Sequence, residues 1–218
     1  MLCLDGECFI AYLSVLSVTT KVLVPSLQLL PNKMIVRRTA IPGVLIIEPK
    51  LFGDSRGFFT ELYQAERYAA NGIGQKFVQD NLSRSVKGTL RGLHFQNPNP
   101  QGKLVTVLAG SILDVAVDVR RGSPTFGQHV MVELSDENRR QCWIPAGLAH
   151  GFIVQSATVD FLYKCDGFYS PSDEHVLLWN DPKLGIKWGN DAPLLSARDK
   201  EGRTLAQLAD RLPKYEPA

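Results

Sequence analysis

Nine short apolar runs, separated by turn residues, follow one another in this sequence between residues 44 and 165. They occupy residues 44–48, 77–85, 90–96, 103–108, 111–119, 129–134, 141–144, 151–155 and 159–165. Spacings of roughly 8–12 residues are typical of antiparallel strands in a sandwich or jelly roll. Helical periodicity is confined to residues 65–70 and 205–212. The pattern predicts one mainly β domain with small helical additions.

The run at residues 111–119 gives the clearest strand signal. Its apolar residues alternate with Asp114 and Asp118, close to the period of two expected for a strand with one wet face. Turn residues bracket this run at 110–111 and again, more strongly, at 121–124. We therefore expect a strand with both aspartates on its solvent side.

The charge of the chain gives no sign of a nucleic-acid or membrane partner. Its 218 residues include 24 basic and 22 acidic side chains, which nearly cancel. Phosphate binding must then come from a few placed arginines rather than from a general positive field. The cysteines have no paired spacing, which is typical of a reducing, cytoplasmic environment (Cys3, Cys8, Cys142, Cys165).

The first 33 residues differ from the rest. Residues 8–20 carry no charge, and the charges before them are those of Asp5 and Glu7, whereas a secretory signal has a positive N-terminal region. A membrane span requires about 20 apolar residues, more than this run provides. We expect residues 1–33 to be an extension outside the fold and residues 34–218 to form one domain. A targeting segment is the alternative.

A histidine and a lysine stand on two neighbouring strand-like runs. His94 lies in residues 90–96, and Lys103 begins the next run. Imidazole titrates near neutral pH and can remove a proton beside a carbonyl group, while a fixed ammonium can hold the resulting enolate oxygen. The alternatives are a histidine satisfied in the core and a solvated lysine at a strand end. The nearby Arg91 favours a site that receives an anion.

The residues around His94 and Lys103 also disfavour a metal-dependent reaction. Residues 145–150 have the Pro-x-Gly-x-x-His spacing of the second cupin motif, whose histidine joins a His-x-His and a Glu in metal-binding cupins. Here His94 is followed two residues later by Gln96, and Lys103 stands where the glutamate would be. A cation at that place repels a metal ion, and two imidazoles alone form a poor site. We expect neither a metal nor another cofactor.

Eight separated motifs occur in the order of one enzyme family. They are residues 54–59 with Glu61, then 79–85, 90–96, 101–103, 114–118, 143–152, 161–164 and 179–182. Together they make residues 35–212 resemble the dTDP-4-dehydrorhamnose 3,5-epimerases. The resemblance implies a cupin-type jelly-roll β-barrel.

The resemblance also implies roles for the reacting groups. His94 resembles the base that removes the protons at C3 and C5, and Asp199 matches the carboxylate that orients it. Tyr163 matches the group that returns a proton on the opposite face of the ring. A cation would help a phenol act at neutral pH; Lys164 points the other way along its strand, so we expect Lys103 to supply it.

A substrate clamp is implied as well. Arg56 and Arg91 resemble the contacts to the diphosphate, for which bidentate guanidinium groups are suited. Phe58 and Tyr169 are candidates for stacking on thymine. The remaining positions that match substrate contacts are Glu61, Gln79, Asn81, Lys103, His150, Glu174 and Arg198, the last of which is often lysine in the family.

The implied reaction converts dTDP-4-dehydro-6-deoxy-D-glucose to dTDP-4-dehydro-L-rhamnose. An enzyme that epimerises only C3 or only C5 of such a dTDP-4-keto-6-deoxysugar is the close alternative, and a non-catalytic cupin that binds a nucleotide sugar is a more distant one. The resemblance further implies a homodimer that exchanges an N-terminal strand, in which Arg56 or Glu61 reaches into the partner's site.

Overall fold

The computed structural model describes residues 33–216, so the expected extension at residues 1–33 lies outside the described residues except for Lys33. Short strands dominate this part of the chain, with two small helices. The strands are β1 Ile35–Arg38, β2 Leu45–Glu48, β3 Leu51–Asp54, β4 Gly57–Thr60, β5 Gln79–Val86, β6 Leu90–Gln96, β7 Lys103–Ala109, β8 Ser111–Asp118, β9 His129–Ser135, β10 Gln141–Ile144, β11 Leu148–Val154, β12 Thr158–Cys165 and β13 Glu174–Val176; the helices are α1 Ala65–Ala69 and α2 Ala197–Lys200.

Two antiparallel sheets and one hairpin contain all of these strands. The six-stranded sheet has the order β1-β2-β10-β7-β12-β5, and the five-stranded sheet has the order β13-β6-β11-β8-β9. Strands β3 and β4 form a separate hairpin. Consecutive strands β7 and β8 lie in different sheets, so the turn at Gly110 (φ +83°) carries the chain from one sheet to the other. The predicted mainly β, cupin-type jelly-roll class is confirmed.

The main core fills the space between the sheets. Val107 and Phe161 of the six-stranded sheet pack there with Ile112 and Phe152 of the five-stranded sheet. Burying such side chains removes apolar surface from water, at about 25 cal/mol for each Å². A cavity remains open beside this core, and its walls carry the polar residues described below.

The five-stranded sheet is covered on its second face, and the expected wet face of β8 is therefore wrong. Val115 and Val117 point outward and pack against Trp188 and other side chains of the C-terminal segment. Asp114 and Asp118 point inward with exposures of 1% and 0%. A period of two indicates which residues share a face, but it does not show whether that face meets water or a polar interior.

The helical predictions have mixed outcomes. Helix α1 lies where residues 65–70 predicted it, capped by Gln64, which accepts a hydrogen bond from the backbone of Arg67. Residues 205–212 form turns and a short 3-10 helix, Ala209–Arg211, rather than an α-helix. Their apolar spacing comes from Leu205, Leu208 and Leu212, which pack with Val115 and Val117 on the outer face of the five-stranded sheet. In residues 33–216 no helix combines the length and hydropathy of a transmembrane span.

Strands β6 and β11 approach each other closely because each carries a glycine. A Cβ on Gly92 (φ +112°) would lie 2.6 Å from the carbonyl oxygen of His150, and one on Gly151 would lie 2.7 Å from that of Arg91. The strand register shifts at this point, between His150 and Phe152. The shift leaves His150 opposite His94, so this contact helps to place both imidazoles.

Candidate active site

A cavity of ≈ 600 Å³ opens between the two sheets, and residues 194–199 close one side of it. Every residue predicted for the site lines this cavity except Arg56, Phe58 and Glu61. Those that line it are Gln79, Asn81, Arg91, His94, Lys103, His150, Tyr163, Tyr169, Glu174, Arg198 and Asp199. The six-stranded sheet contributes one wall, and the five-stranded sheet contributes the facing wall.

His94 lies on β6, between its cross-strand partners His150 on β11 and Val176 on β13. Its Nε2 atom is 2.6 Å from Oδ1 of Asp199. Because a carboxylate only accepts, Nε2 carries the proton, and Nδ1 is the nitrogen with a lone pair. Nδ1 lies 3.7 Å from Oε1 of Glu174. The imidazole is therefore oriented as a base that acts through Nδ1.

Asp199 is held in the first turn of α2. The backbone N–H of Asp199 donates to Oγ of Ser196 over 3.1 Å, which caps the helix, and the Ser196 hydroxyl donates to Oδ2 over 2.7 Å. Burial raises the pKa of Asp199, but the hydrogen bonds from His94 and Ser196 outweigh it and leave the pKa below its usual value. Ser196 was absent from the predicted site, although a serine three residues before an aspartate is an N-cap signal.

Tyr163 faces His94 from the opposite sheet. It pairs in register with Asn81 of β5, and two residues later Cys165 pairs with both Gln79 and Lys103. The period of two along these strands therefore places these polar groups on one wall. Burial raises the pKa of the Tyr163 phenol, so the group stays protonated at neutral pH.

A cation other than the predicted one acts on the phenol of Tyr163. The charge that opposes the rise in the pKa of Tyr163 is that of Arg91, whereas the sequence had suggested Lys103. Lys164 points to the other face, where its Nζ donates to Asp80 over 2.8 Å, as expected.

Lys103 lines the cavity and is half-buried. Burial lowers its pKa, and the negative charge of Glu174 and Asp166 opposes this shift in part. An ammonium in such a position can stabilise a negative oxygen with little competition from water.

A second histidine–aspartate pair lies beside the first. Nε2 of His150 is 2.6 Å from Oδ1 of Asp114, and both side chains are buried. The His150 ring stacks on Phe161, with centroids 6.1 Å apart. Asp114 was predicted to face solvent, yet it orients His150 toward the cavity. Across residues 33–216, no three His, Cys, Asp or Glu side chains are grouped as metal ligands.

Polar and charged groups line the cavity mouth. Arg91 donates to Oγ of Ser85 over 3.0 Å. Tyr169 donates from its hydroxyl to Oε2 of Glu174 over 2.7 Å, and Arg198 pairs with the same oxygen. Two guanidinium groups at the mouth provide donors suited to phosphate oxygens.

Arg56 and Glu61 lie outside the cavity of their own chain. Arg56 stands at the turn of the β3–β4 hairpin, paired with Asp54, and 88% of its side chain is exposed. Glu61 pairs with Arg67 of α1. Phe58 of the same hairpin is half exposed beneath the guanidinium of Arg139. Neither Arg56 nor Glu61 lines the cavity of its own chain. Their predicted substrate contacts, which the resemblance allows in the site of a partner subunit, stay a prediction.

Comparison with known proteins identifies the family to which this sequence belongs. The family described as dTDP-4-dehydrorhamnose 3,5-epimerase matches residues 38–207. The chain belongs to this epimerase family. It is 54% identical to the dTDP-4-dehydrorhamnose 3,5-epimerase of Pseudomonas aeruginosa over 178 residues, which cover 81% of this chain and 98% of that protein. The enzyme of the same name from Salmonella typhimurium is 56% identical, over 80% and 97% of the two chains.

Solved structures agree with the assignment to the family. The dTDP-6-deoxy-D-glucose-3,5-epimerase of Legionella pneumophila, solved in complex with dTDP-4-keto-L-rhamnose, superposes with a TM-score of 0.82. It is 53% identical, and the match covers 84% of this chain and all of that one. A 3'-monoepimerase from Streptomyces bikiniensis, solved with dTDP-quinovose, matches at 36% identity and a TM-score of 0.77, over 82% and 93% of the chains. The chain is an epimerase, an enzyme of the isomerase class.

Proposed function

We propose that this chain converts dTDP-4-dehydro-6-deoxy-D-glucose to dTDP-4-dehydro-L-rhamnose by exchanging protons at C3 and C5. The observation that carries the proposal is the placement of His94 and Tyr163 on facing sheets around one cavity. Inverting a carbon requires proton removal on one face of the ring and proton delivery on the other. An acid and a base on opposite walls meet this requirement.

His94 is the base in this proposal. Its Nδ1 atom takes a proton from the carbon next to the C4 ketone, and Asp199 stabilises the imidazolium that forms. Asp199 is suited to this task because its lowered pKa keeps it ionised. The carboxylate need not accept the proton, since holding the ring and its charge is sufficient.

Lys103 and Tyr163 complete the exchange. The Lys103 ammonium stabilises the enolate oxygen at C4, a function that preorganised charge in a dry site performs well. Tyr163 then delivers its hydroxyl proton to the opposite face of the carbon. Its raised pKa is consistent with the role of donor, because the phenol is protonated at neutral pH.

The dTDP portion is held at the mouth of the cavity. We assign the diphosphate to Arg91 and Arg198, and further substrate contacts to Gln79, Asn81, His150 and Glu174. Tyr169 lies at the same mouth, where its ring can stack on thymine. No metal or other cofactor takes part in this proposal, since the ammonium of Lys103 provides the charge at the enolate.

We also propose a homodimer with N-terminal strand exchange, in which Arg56 and Glu61 serve the partner's site. Strand β1 forms the edge of the six-stranded sheet, and the β3–β4 hairpin exposes 67% of Phe59 as well as Arg56. Mixed dimers of Arg56→Ala and His94→Ala subunits test this arrangement. Restored activity in the mixture supports it, whereas a mixture as inactive as its parents places Arg56 in its own site.

Double epimerisation is favoured over epimerisation at a single carbon by the degree of similarity. The 3,5-epimerases are 54% and 56% identical to this chain, while the 3-epimerase of Streptomyces niveus is 40% identical. The test is NMR of the product formed by the purified enzyme. Inversion at both C3 and C5 supports the proposal, and a product inverted at one carbon alone overturns it.

A further inference from the structure

Double epimerisation by a single imidazole requires a step between its two proton abstractions. This inference rests on the proposed function, in which His94 removes both protons. After the first abstraction His94 is an imidazolium and cannot act as a base again. It must lose its proton before the second carbon reacts, or the reaction stops at a product inverted at one carbon.

The geometry identifies the nitrogen that must be reset. Nε2 of His94 is occupied by Asp199 at 2.6 Å, so the abstracted proton resides on Nδ1. The carboxylate of Glu174 lies next to Nδ1, with Oε1 at 3.7 Å. A small movement of one side chain would bring the two atoms within hydrogen-bond distance.

The two oxygens of Glu174 have different partners. Oε2 receives the hydroxyl of Tyr169 and the guanidinium of Arg198. These contacts fix the carboxylate and leave Oε1 directed toward His94. Glu174 also lines a neighbouring cavity of ≈ 400 Å³, with Glu201 and Arg203 on its wall. One side chain thus borders both the reaction cavity and a second opening.

We propose that Glu174 accepts the proton from His94 between the two exchanges and passes it to solvent. The Nδ1–H bond breaks and an O–H bond forms on Oε1, so His94 becomes neutral and Glu174 becomes a carboxylic acid. The acid then gives its proton to water in the neighbouring cavity and returns to the carboxylate. The Tyr163 phenolate left by the first delivery takes a proton from water, so both groups are restored before the second carbon reacts. Glu174 therefore sets how far the reaction proceeds, in addition to contacting the substrate.

The test compares Glu174→Gln with Glu201→Gln, which removes the same charge from an exposed position on the neighbouring cavity. At saturating substrate, early time points are analysed by NMR for singly and doubly inverted products. We expect Glu174→Gln to raise the ratio of singly to doubly inverted product about tenfold or more, within the range of a lost proton-transfer group. Glu201→Gln should match the wild type.

Two further measurements separate proton transfer from positioning. In deuterium oxide, substrate recovered unchanged should gain less deuterium with Glu174→Gln, because His94 keeps the proton it removed and returns it. Tyr169→Phe removes a contact to Oε2 but keeps the carboxylate, so it should raise KM without changing the product ratio. Glu174→Asp should restore part of the wild-type ratio.

The failure of this inference can be distinguished from failure of the proposed function. If the wild-type enzyme inverts no carbon or only one, the proposed function is wrong. If the wild type makes the doubly inverted product and Glu174→Gln gives the same product ratio and deuterium content, the assignment of Glu174 is wrong.

Discussion

Replacing Asp199 with asparagine moves a proton on His94 while hardly changing the volume of the side chain. Ser196 donates its hydroxyl to the Oδ2 position, so the amide of Asp199→Asn places its carbonyl there and its NH₂ group toward Nε2. Nε2 must then accept, which shifts the ring proton to Nδ1. Neutral His94 would present an N–H bond to the substrate in place of a lone pair.

The magnitude follows from this change of tautomer. Where an aspartate that orients a catalytic histidine is replaced by asparagine, kcat falls about 10⁴-fold with the geometry intact. That loss corresponds to about 5 kcal/mol of transition-state stabilisation. We expect a similar fall for Asp199→Asn, with little change in dTDP affinity. The assay is steady-state kinetics, with thermal melting and dTDP titration to verify that the variant is folded.

A second substitution tests the reasoning itself. Adding Ser196→Ala to Asp199→Asn removes the hydroxyl that fixes the amide, so the amide can turn its carbonyl toward Nε2. We expect the double variant to recover about tenfold in kcat over Asp199→Asn, equivalent to roughly 1.4 kcal/mol. Near-normal activity of Asp199→Asn, or a double variant less active than the single one, would refute the argument.

Three other predictions concern Gly92, Lys103 and residues 1–33. Gly92→Ala should lose about 3 kcal/mol of stability or more, because its Cβ would lie 2.6 Å from a backbone oxygen at φ +112°; thermal melting measures this, and an unchanged Tm contradicts it. The lowered pKa of Lys103 means that its charge is lost as pH rises, starting below the usual 10.5, so kcat of the wild-type enzyme should fall on the alkaline side. Lys103→Arg should be slower, and its kcat should fall only at a higher pH. If the alkaline fall in kcat does not move in this variant, another group causes it. A chain that begins at Met34 should keep full activity if residues 1–33 are an extension outside the fold, and a large loss shows that they contribute.

Much of the fold could be predicted because short strands have strong local signals. The turn residues and the apolar runs located most strands, and the mainly β class followed from their number. The β3–β4 hairpin was missed as a pair of strands because its residues are exposed and lack an apolar run. The helix expected at residues 205–212 failed because a turn-rich segment can bury leucines at helical spacing when it packs on a sheet.

The candidate site could be listed from the sequence but not assembled from it. Asp199 stands 105 residues after His94, and it is the tertiary fold that brings their side chains to 2.6 Å. The inward direction of Asp114 depends on the C-terminal segment that covers β8. The sequence pattern likewise could not show that Arg56 lies away from the cavity of its own chain, because its location depends on how the β3–β4 hairpin is placed relative to the sheets.

Hydrogen exchange at the two carbons beside the ketone is the central step of the proposed reaction. In deuterium oxide, the wild-type enzyme should introduce deuterium at both C3 and C5 of the product, as measured by NMR and mass spectrometry. His94→Ala should introduce it at neither carbon, and Tyr163→Phe should exchange without inverting. Deuterium entering both positions at the wild-type rate in His94→Ala would contradict the central claim.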